Sequence, residues 1–450
     1  MAPIDHSKHE KPTQVWKSLE DVCLPARSYD IEFWWQVTGY HLAKMVEAAG
    51  YPIERQYEVL LFHYHWIVPR LGPAPGADGL PKWKALMAHD GSPLEYSWKW
   101  NTTNSLPEVR YSWEPYNPGA DSTANPRNHE VSLDYMKHIS KVVPQADFTW
   151  ARHFLSEIET GDRPTSNFLH AVEFHRKKPF DLKSYFLPRA TKLLEGGDSG
   201  VMKEWDDAVV KLDPKNPTRE VLRKFLKTNP EGQALSPVVL AMDDVSPSKS
   251  RLKMYFLTSH TSFKALRQIM TLGGLVDIPE ESLQEIRSLI TTILGLPEDF
   301  PEDANTPVQP PIGKSWVETE NLFECFVYFF DIAPQNGVPD VKFYLPTRRY
   351  GPDDLAIAHR TIEWMKARGR GAYADQYLQM MEAVAEHRGL ENGKGLHSFI
   401  SYQVNRNGEP DIKTYFTSET YHPTRFTGRD NTTNGTNGTN ATNGTNGHAL

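Results

Sequence analysis

Four short segments of the chain carry one chemical pattern: apolar, Lys, any residue, Tyr, apolar. They are Leu182-Lys183-Ser184-Tyr185-Phe186, Leu252-Lys253-Met254-Tyr255-Phe256, Val341-Lys342-Phe343-Tyr344-Leu345 and Ile412-Lys413-Thr414-Tyr415-Phe416. Side chains two apart on a strand project to the same side, so each lysine shares a face with its tyrosine while the apolar neighbours face the other way. Converging ammonium groups suit a polyanion, and phenol rings beside them offer hydroxyl donors and electron-rich faces for a cation. A pyrophosphate joined to a developing carbocation needs both.

Each Lys-x-Tyr segment follows another apolar or alternating run: Phe168 to His175, Val238 to Met242, Phe323 to Phe330 and Ser398 to Val404. Turn-rich links such as Pro334-Gln335-Asn336-Gly337 and Asn405-Arg406-Asn407-Gly408 predict hairpins. A fifth pair comes first, Leu94 to Trp100 and Val109 to Trp113, with Glu95 and Arg110 in its polar phase. Three- and four-residue apolar spacing predicts helices over Asp30 to Ala49, Gln56 to Ile67, Gly200 to Lys211, Arg219 to Lys227, Ser262 to Thr271, Glu280 to Leu294, Asp353 to Ala367 and Ala374 to His387. The unit is helix, hairpin, helix, and it recurs about five times.

The apolar strand faces need covering, which the amphipathic helices supply. About ten antiparallel strands with helices on one face can close around a polar-lined lumen; the alternative is an open sheet whose Lys-Tyr face meets water. Recurrence in four matching contexts favours the lumen. The fold class expected is therefore α+β.

Composition narrows the function. The formal charge of −8 over 450 residues comes from mixed acidic and basic residues without a long basic run, which argues against a nucleic-acid partner. Cys23 and Cys325 stand alone, outside any zinc or disulfide spacing. No apolar run of membrane-spanning length and no leader-like start occurs, so a cytoplasmic protein without membrane contact is expected. From Asn431 onward the chain is almost only Asn, Thr and Gly, so one domain over 1–429 and a disordered tail over 430–450 are expected. A homodimer is left open. Asp243-Asp244 and Asp353-Asp354 lack the further aspartate of a magnesium-pyrophosphate motif, which leaves lysine and arginine to do the metal's work.

Phe33-Trp34-Trp35, Ala48-Ala49-Gly50-Tyr51, Gln56-Tyr57, Val68-Pro69-Arg70-Leu71-Gly72-Pro73, Pro93-Leu94-Glu95 and the Lys-x-Tyr series together resemble the fungal dimethylallyl tryptophan synthase family of aromatic prenyltransferases. The resemblance runs from Phe33 to Tyr415. It implies the ten-stranded prenyltransferase (αββα) barrel with helices outside, and alkylation of an aromatic small molecule, an indole first, by dimethylallyl pyrophosphate. It also implies that no metal or other cofactor is needed.

By position, Arg110, Lys183, Arg251, Lys253 and Lys342, with Lys413 by alternation, resemble the pyrophosphate grip. Tyr185, Tyr255, Tyr344 and Tyr415 resemble the shield around the allylic cation. Glu95 resembles the carboxylate that accepts the indole N–H; its structural alternative is an ion pair with Lys99 or a barrel lysine. Leu86, Met87 and Tyr402 match positions against the aromatic substrate, and Leu86 and Met87 equally suit plain loop anchoring. His175 stands where tryptophan enzymes place a lysine base, and can be a base or a structural histidine. Lys342 in place of glutamine and Leu187 in place of tyrosine depart from the tryptophan pattern. They point to another acceptor, such as a tryptophan-containing cyclic dipeptide or a related alkaloid. A second enzymatic reading keeps the barrel but takes a phenol, xanthone or other polyketide ring, for which an N–H acceptor such as Glu95 is less necessary. A barrel that only binds a ligand is the remaining, non-enzymatic reading.

Overall fold

The computed structural model describes residues 11–76, 78–118, 129–158, 168–187, 201–310, 325–405 and 409–426; the 430–450 tail lies outside them. Ten strands form one closed antiparallel barrel: β1 (Leu94–Lys99), β2 (Glu108–Trp113), β3 (Phe168–Phe174), β4 (Asp181–Phe186), β5 (Ser236–Asp243), β6 (Leu252–Thr258), β7 (Phe326–Asp331), β8 (Asp340–Pro346), β9 (His397–Val404) and β10 (Pro410–Thr417). Every strand pairs with its neighbours in sequence, and β10 closes on β1. The open-sheet alternative is thereby excluded, because closure leaves no edge and gives the two strand faces different surroundings.

Helices occupy alternate connections. Val201–Leu212 and Pro217–Thr228 join β4 to β5, Phe263–Met270 and Glu280–Leu294 join β6 to β7, and Asp354–Lys366 and Ala374–Val384 join β8 to β9. Glu130–Ile139 and Thr149–Glu157, which apolar periodicity did not single out, join β2 to β3. The remaining links are hairpins, so all five hairpins sit at one end of the barrel and the helical crossings at the other. The helix expected over Asp30 to Ala49 divides into Tyr29–Trp34 and Tyr40–Ala48 around a wider π-type turn, Trp35–Gly39. Gly39 is needed there, because a Cβ would lie 2.5 Å from the Trp35 ring.

Two concentric apolar layers result. The outer strand faces, including Trp98, Trp113, Phe256, Phe330, Phe343 and Phe416, merge with the helices into one large core. Inside the barrel a smaller cluster gathers Leu169, Leu187, Val239, Ala241, Val327, Phe329, Tyr344 and Tyr415. Burial in the outer layer carries the stability of the fold, at roughly 25 cal/mol per Å² of apolar surface removed from water. Among the described residues no helix is long and apolar enough to cross a membrane.

Phe330 and Phe329 are chain neighbours on opposite faces of β7: Phe330 packs on Phe225 and Phe256 outside, and Phe329 meets Tyr255 and Tyr344 in the lumen. Denaturant unfolding of Phe330→Ala is expected to show a loss of about 3–5 kcal/mol. Phe329→Ala is expected to lose clearly less stability and more activity, since its ring packs on Tyr255 and Tyr344 in the smaller inner cluster.

Candidate active site

The hairpin geometry fixes where the cations lie. In β4, β6, β8 and β10 the lysine comes early in the returning strand and the tyrosine one inward position deeper. The lysines therefore ring the hairpin end and the tyrosines ring the middle. Lys183 approaches Glu173 at 2.6 Å and Asp243 at 3.9 Å, and Lys253 approaches Asp243 at 2.7 Å. Arg251 reaches Asp243 at 2.8 Å and Asp331 at 3.2 Å. Arg110 meets Glu173 at 3.2 Å, while Lys342 and Lys413 lie 3.8 and 3.5 Å from Asp411. Arg110 and the four lysines thus converge in the lumen, and Arg251, exposed just before β6, joins their carboxylates from the hairpin rim.

The four carboxylates that hold them, Glu173, Asp243, Asp331 and Asp411, were not singled out from sequence. Alternation carried a signal for two of them: Asp411 stands two residues before Lys413 and Glu173 two before His175, each in the inward phase. Burial works against every charge here, and the partners decide which way each group moves. Lys183 loses to burial but gains more from Glu173 and Asp243, so its pKa rises. Burial pushes Lys253 down to about 8 even with Asp243 beside it. Burial also holds Lys342 well below the usual lysine range, and Lys413 below it, with Asp411 only partly offsetting the cost. These are ammonium groups short of counter-charge, a state that favours uptake of an anion.

Above them the four tyrosines form an unbroken arc. Ring centroids lie 6.4 Å apart for Tyr185 and Tyr255, 5.9 Å for Tyr255 and Tyr344, and 5.6 Å for Tyr344 and Tyr415. The Arg110 guanidinium sits 5.0 Å from the Tyr415 ring centre and donates to its hydroxyl at 2.8 Å. Burial raises the pKa of all four phenols, so the arc presents neutral hydroxyls and negative ring faces.

The arc borders a cavity that Arg110 touches at one side and Glu95 at the other, with Leu86, Met87, Val327 and Phe399 among its apolar walls. Leu86 is fixed by its backbone N–H, which donates to Glu114 at 2.6 Å. Glu95 is the second residue of β1, away from the hairpin end. It accepts a hydrogen bond from the Ser398 hydroxyl at 2.7 Å and is not paired with a lysine. Burial pushes its pKa up to about 7, against the opposing pull of Ser398 and Arg110.

Two expected residues fall elsewhere. Tyr402 is on the outer face of β9, where its hydroxyl donates to Glu285 at 3.0 Å on the helix Glu280–Leu294. Its register partners, Ile412 and Phe343, also face outward. The ladder carries a β-bulge nearby: the pairing shifts between Tyr415 and Phe416, so that Phe399 faces Tyr415 and His397 faces Phe416, leaving Ser398 surplus. From Phe399 to Val404 the pairing is regular, and Tyr402 shares the outer phase with Ile400. Substrate contact by Tyr402 is corrected accordingly.

His175 follows the last residue of β3, which puts it on the hairpin rim between Glu108 at 3.2 Å and Asp181 at 2.7 Å. Glu95 pairs with Ser112 and Ser112 with Ala171, so His175 is four residues further along the barrel, about 13 Å at the usual strand rise. It does not line the cavity beside Glu95. Burial lowers its pKa, but Asp181 and Glu108 outweigh that and raise it. Among the described residues, Glu173, His175 and Asp181 are the group whose ligand atoms lie within 4.8 Å of one another, close enough to share a metal ion. Lys183 and Arg110 already neutralise Glu173 there, and both ring nitrogens of His175 have carboxylate partners.

A closed ten-stranded antiparallel barrel, sheathed in helices and lined by cations below a tyrosine arc, defines a prenyltransferase barrel. Solved structures share it: AnaPT from Neosartorya fischeri superposes with a TM-score of 0.74 at 21% identity, covering 90% of this chain and 98% of that one. NotF, solved in complex with brevianamide F and DMSPP, gives 0.72 at 22% identity over 90% and 99%. Residues 30–380 match the family model described as tryptophan dimethylallyltransferase. The chain belongs to that family and is an aromatic prenyltransferase. Fungal relatives span nearly its whole length. Prenyltransferase anuH of Penicillium roqueforti is 43% identical over 92% of this chain and 94% of its own, and xanthone prenyltransferase B of Emericella nidulans is 39% identical over 93% and 94%.

The raised pKa of Glu95 has a stability consequence whose sign is definite. A carboxyl whose folded pKa exceeds its unfolded value favours the fold most when protonated, below about pH 4.5, and that contribution is lost as pH rises through about 7. Thermal unfolding is therefore expected to find Glu95→Gln more stable than the parent at pH 8 and close to it at pH 5. The reverse order would show that the carboxylate is well solvated in the fold.

Proposed function

We propose that the enzyme transfers a dimethylallyl group from dimethylallyl pyrophosphate to a hydroxylated aromatic ring, without a metal ion. The observation that carries this reading is the order of groups along the lumen: buried cations, then tyrosine faces, then a lone carboxyl beside an apolar cavity.

In the reaction the allylic C–O bond breaks and its electron pair leaves with the pyrophosphate. Arg110, Lys183, Arg251, Lys253, Lys342 and Lys413 neutralise the leaving group, an electrostatic stabilisation fixed before the reaction begins. The faces of Tyr185, Tyr255, Tyr344 and Tyr415 flank the allylic cation, and the closed wall excludes water that would quench it. A ring carbon of the acceptor supplies the electrons for the new C–C bond. Glu95 accepts a hydrogen bond from the acceptor's hydroxyl, enriching the ring, and takes the proton released as aromaticity returns. Its position in the cavity favours it over His175 for that step.

The acceptor class rests on two supports. Relatives 38% and 39% identical over most of their length are named xanthone prenyltransferases. Leu187, where tryptophan enzymes are expected to carry tyrosine, lies in the inner apolar cluster, which suits a broad polycyclic ring better than an amino-acid head group. Indole prenylation is the second reading, favoured by the family's description and by Glu95, which can accept an N–H as readily as an O–H.

Three outcomes are expected. With dimethylallyl pyrophosphate supplied, mass spectrometry should find faster product formation from a hydroxyxanthone than from tryptophan or a tryptophan-containing cyclic dipeptide; the opposite order selects the indole reading. Turnover should persist in excess EDTA, and a loss restored by magnesium contradicts metal independence. Glu95→Gln should lower kcat about a hundredfold or more, with kcat/KM of the parent rising through pH 7 as the carboxyl ionises.

A further inference from the structure

Ser398 owes its place to a fault in the β9–β10 ladder. Regular pairing beyond Tyr415 and Phe399 would put Ser398 opposite Phe416, facing outward. Instead Phe416 pairs with His397, and the Thr417 backbone N–H donates to the Leu396 carbonyl at 2.9 Å. The surplus residue lets consecutive side chains, Ser398 and Phe399, both turn inward.

The bulge is held from outside the barrel. Asp354, fully buried, accepts from the backbone N–H of His397 at 2.8 Å and of Leu396 at 3.1 Å, and lies 3.0 Å from His397 Nδ1. The other ring nitrogen of His397 is 3.1 Å from the Tyr377 hydroxyl, and Arg388 donates to Asp354 at 2.5 Å. Thr347 donates to the His397 carbonyl at 3.2 Å. These contacts, buried except for that of Arg388, hold the backbone of His397 and Leu396 beside the bulge.

On the inner side the consequence falls on one group. We propose that Ser398 is a positioning residue: the bulge pinned through His397 and Asp354 turns its hydroxyl onto the Glu95 carboxyl and fixes how that carboxyl faces the acceptor cavity. The inference rests on the proton-accepting role given to Glu95 above. The hydroxyl occupies Oε1 at 2.7 Å, leaving Oε2 for the acceptor. It also stabilises the charged form, so it partly offsets the burial that pushes Glu95 up to about 7. The other ionisable groups facing this cavity are the Arg110 guanidinium of β2 and the phenols of Tyr185, Tyr255, Tyr344 and Tyr415. Of these only Arg110 acts on Glu95 with a charge, and it pulls in the same direction as Ser398.

Ser398→Ala and Ser398→Thr in the full chain test the proposal. Ionisation of Glu95 is followed by the infrared band of its protonated carboxyl, identified by its disappearance in Glu95→Gln, and pH profiles of kcat/KM for the acceptor are measured in parallel. Ser398→Ala is expected to move the infrared midpoint up by about one pH unit and to lower kcat/KM at pH 7 about tenfold, the worth of one charge-assisted hydrogen bond. The KM for dimethylallyl pyrophosphate should stay unchanged, and Ser398→Thr should restore the parent values. An infrared midpoint that stays in place in Ser398→Ala overturns the inference. A midpoint that moves while the activity profile stays in place upholds the hydrogen bond and instead overturns the role proposed for Glu95.

Discussion

Five cationic side chains, Arg110, Lys183, Lys253, Lys342 and Lys413, share the interior of one small barrel with Arg251 at its rim, and the cost of keeping them there shapes everything around them. An unpaired ammonium in a medium of low polarity either loses its proton or finds a partner. Glu173, Asp243, Asp331 and Asp411 are those partners, and they stop short of full neutralisation: Lys253, Lys342 and Lys413 all remain easier to deprotonate than free lysine. In the proposed reaction a pyrophosphate entering at the hairpin end would complete the balance, and the same charge would stabilise the leaving group as its bond breaks, so that binding and catalysis would draw on one arrangement.

That arrangement requires a closed wall. An open sheet would hydrate the lysines and supply water to the allylic cation. Closure lets the outer strand faces pack on helices for stability while the inner faces carry function, with the Lys-x-Tyr alternation serving both through one two-residue period. Chain order does the rest: a lysine early in four of the five returning strands, with Arg110 in the fifth, and a tyrosine one pair deeper in those four stack the cation ring below the aromatic arc.

Much of this was legible in the residues. The inward Lys-Tyr face follows from alternation, the partner strands from apolar or alternating runs beside turn-rich links, and Arg110 from its polar phase together with the family resemblance; the helix over Glu280–Leu294 agrees with its apolar spacing end to end. Resemblance fails where it is not checked against alternation: Tyr402 shares its phase with Ile400 and Val404, opposite Ser401 and Gln403, and faces the helices. The β-bulge at Ser398 is illegible in the run Ser398 to Val404, because the contacts that hold it come from Asp354 and Tyr377, outside the strand. His175 shares the inward phase but stands beyond the end of β3; phase gave its direction, and only the strand's length gives its depth. The counter-carboxylates were hidden differently, since an acidic residue near a turn is common and only the closed barrel shows four of them aimed at lysines.

The central claim is that protein cations, with no metal between them and the phosphates, hold the pyrophosphate below the tyrosine arc. A crystal structure of the enzyme with a non-ionising thio analogue of dimethylallyl pyrophosphate tests it directly. The account predicts the diphosphate in contact with Arg110, Lys183, Lys253, Lys342 and Lys413, and the allyl chain against Tyr255, Tyr344 and Tyr415. A diphosphate reached through a metal ion on Glu173, His175 and Asp181, or one bound outside the lumen, would contradict it.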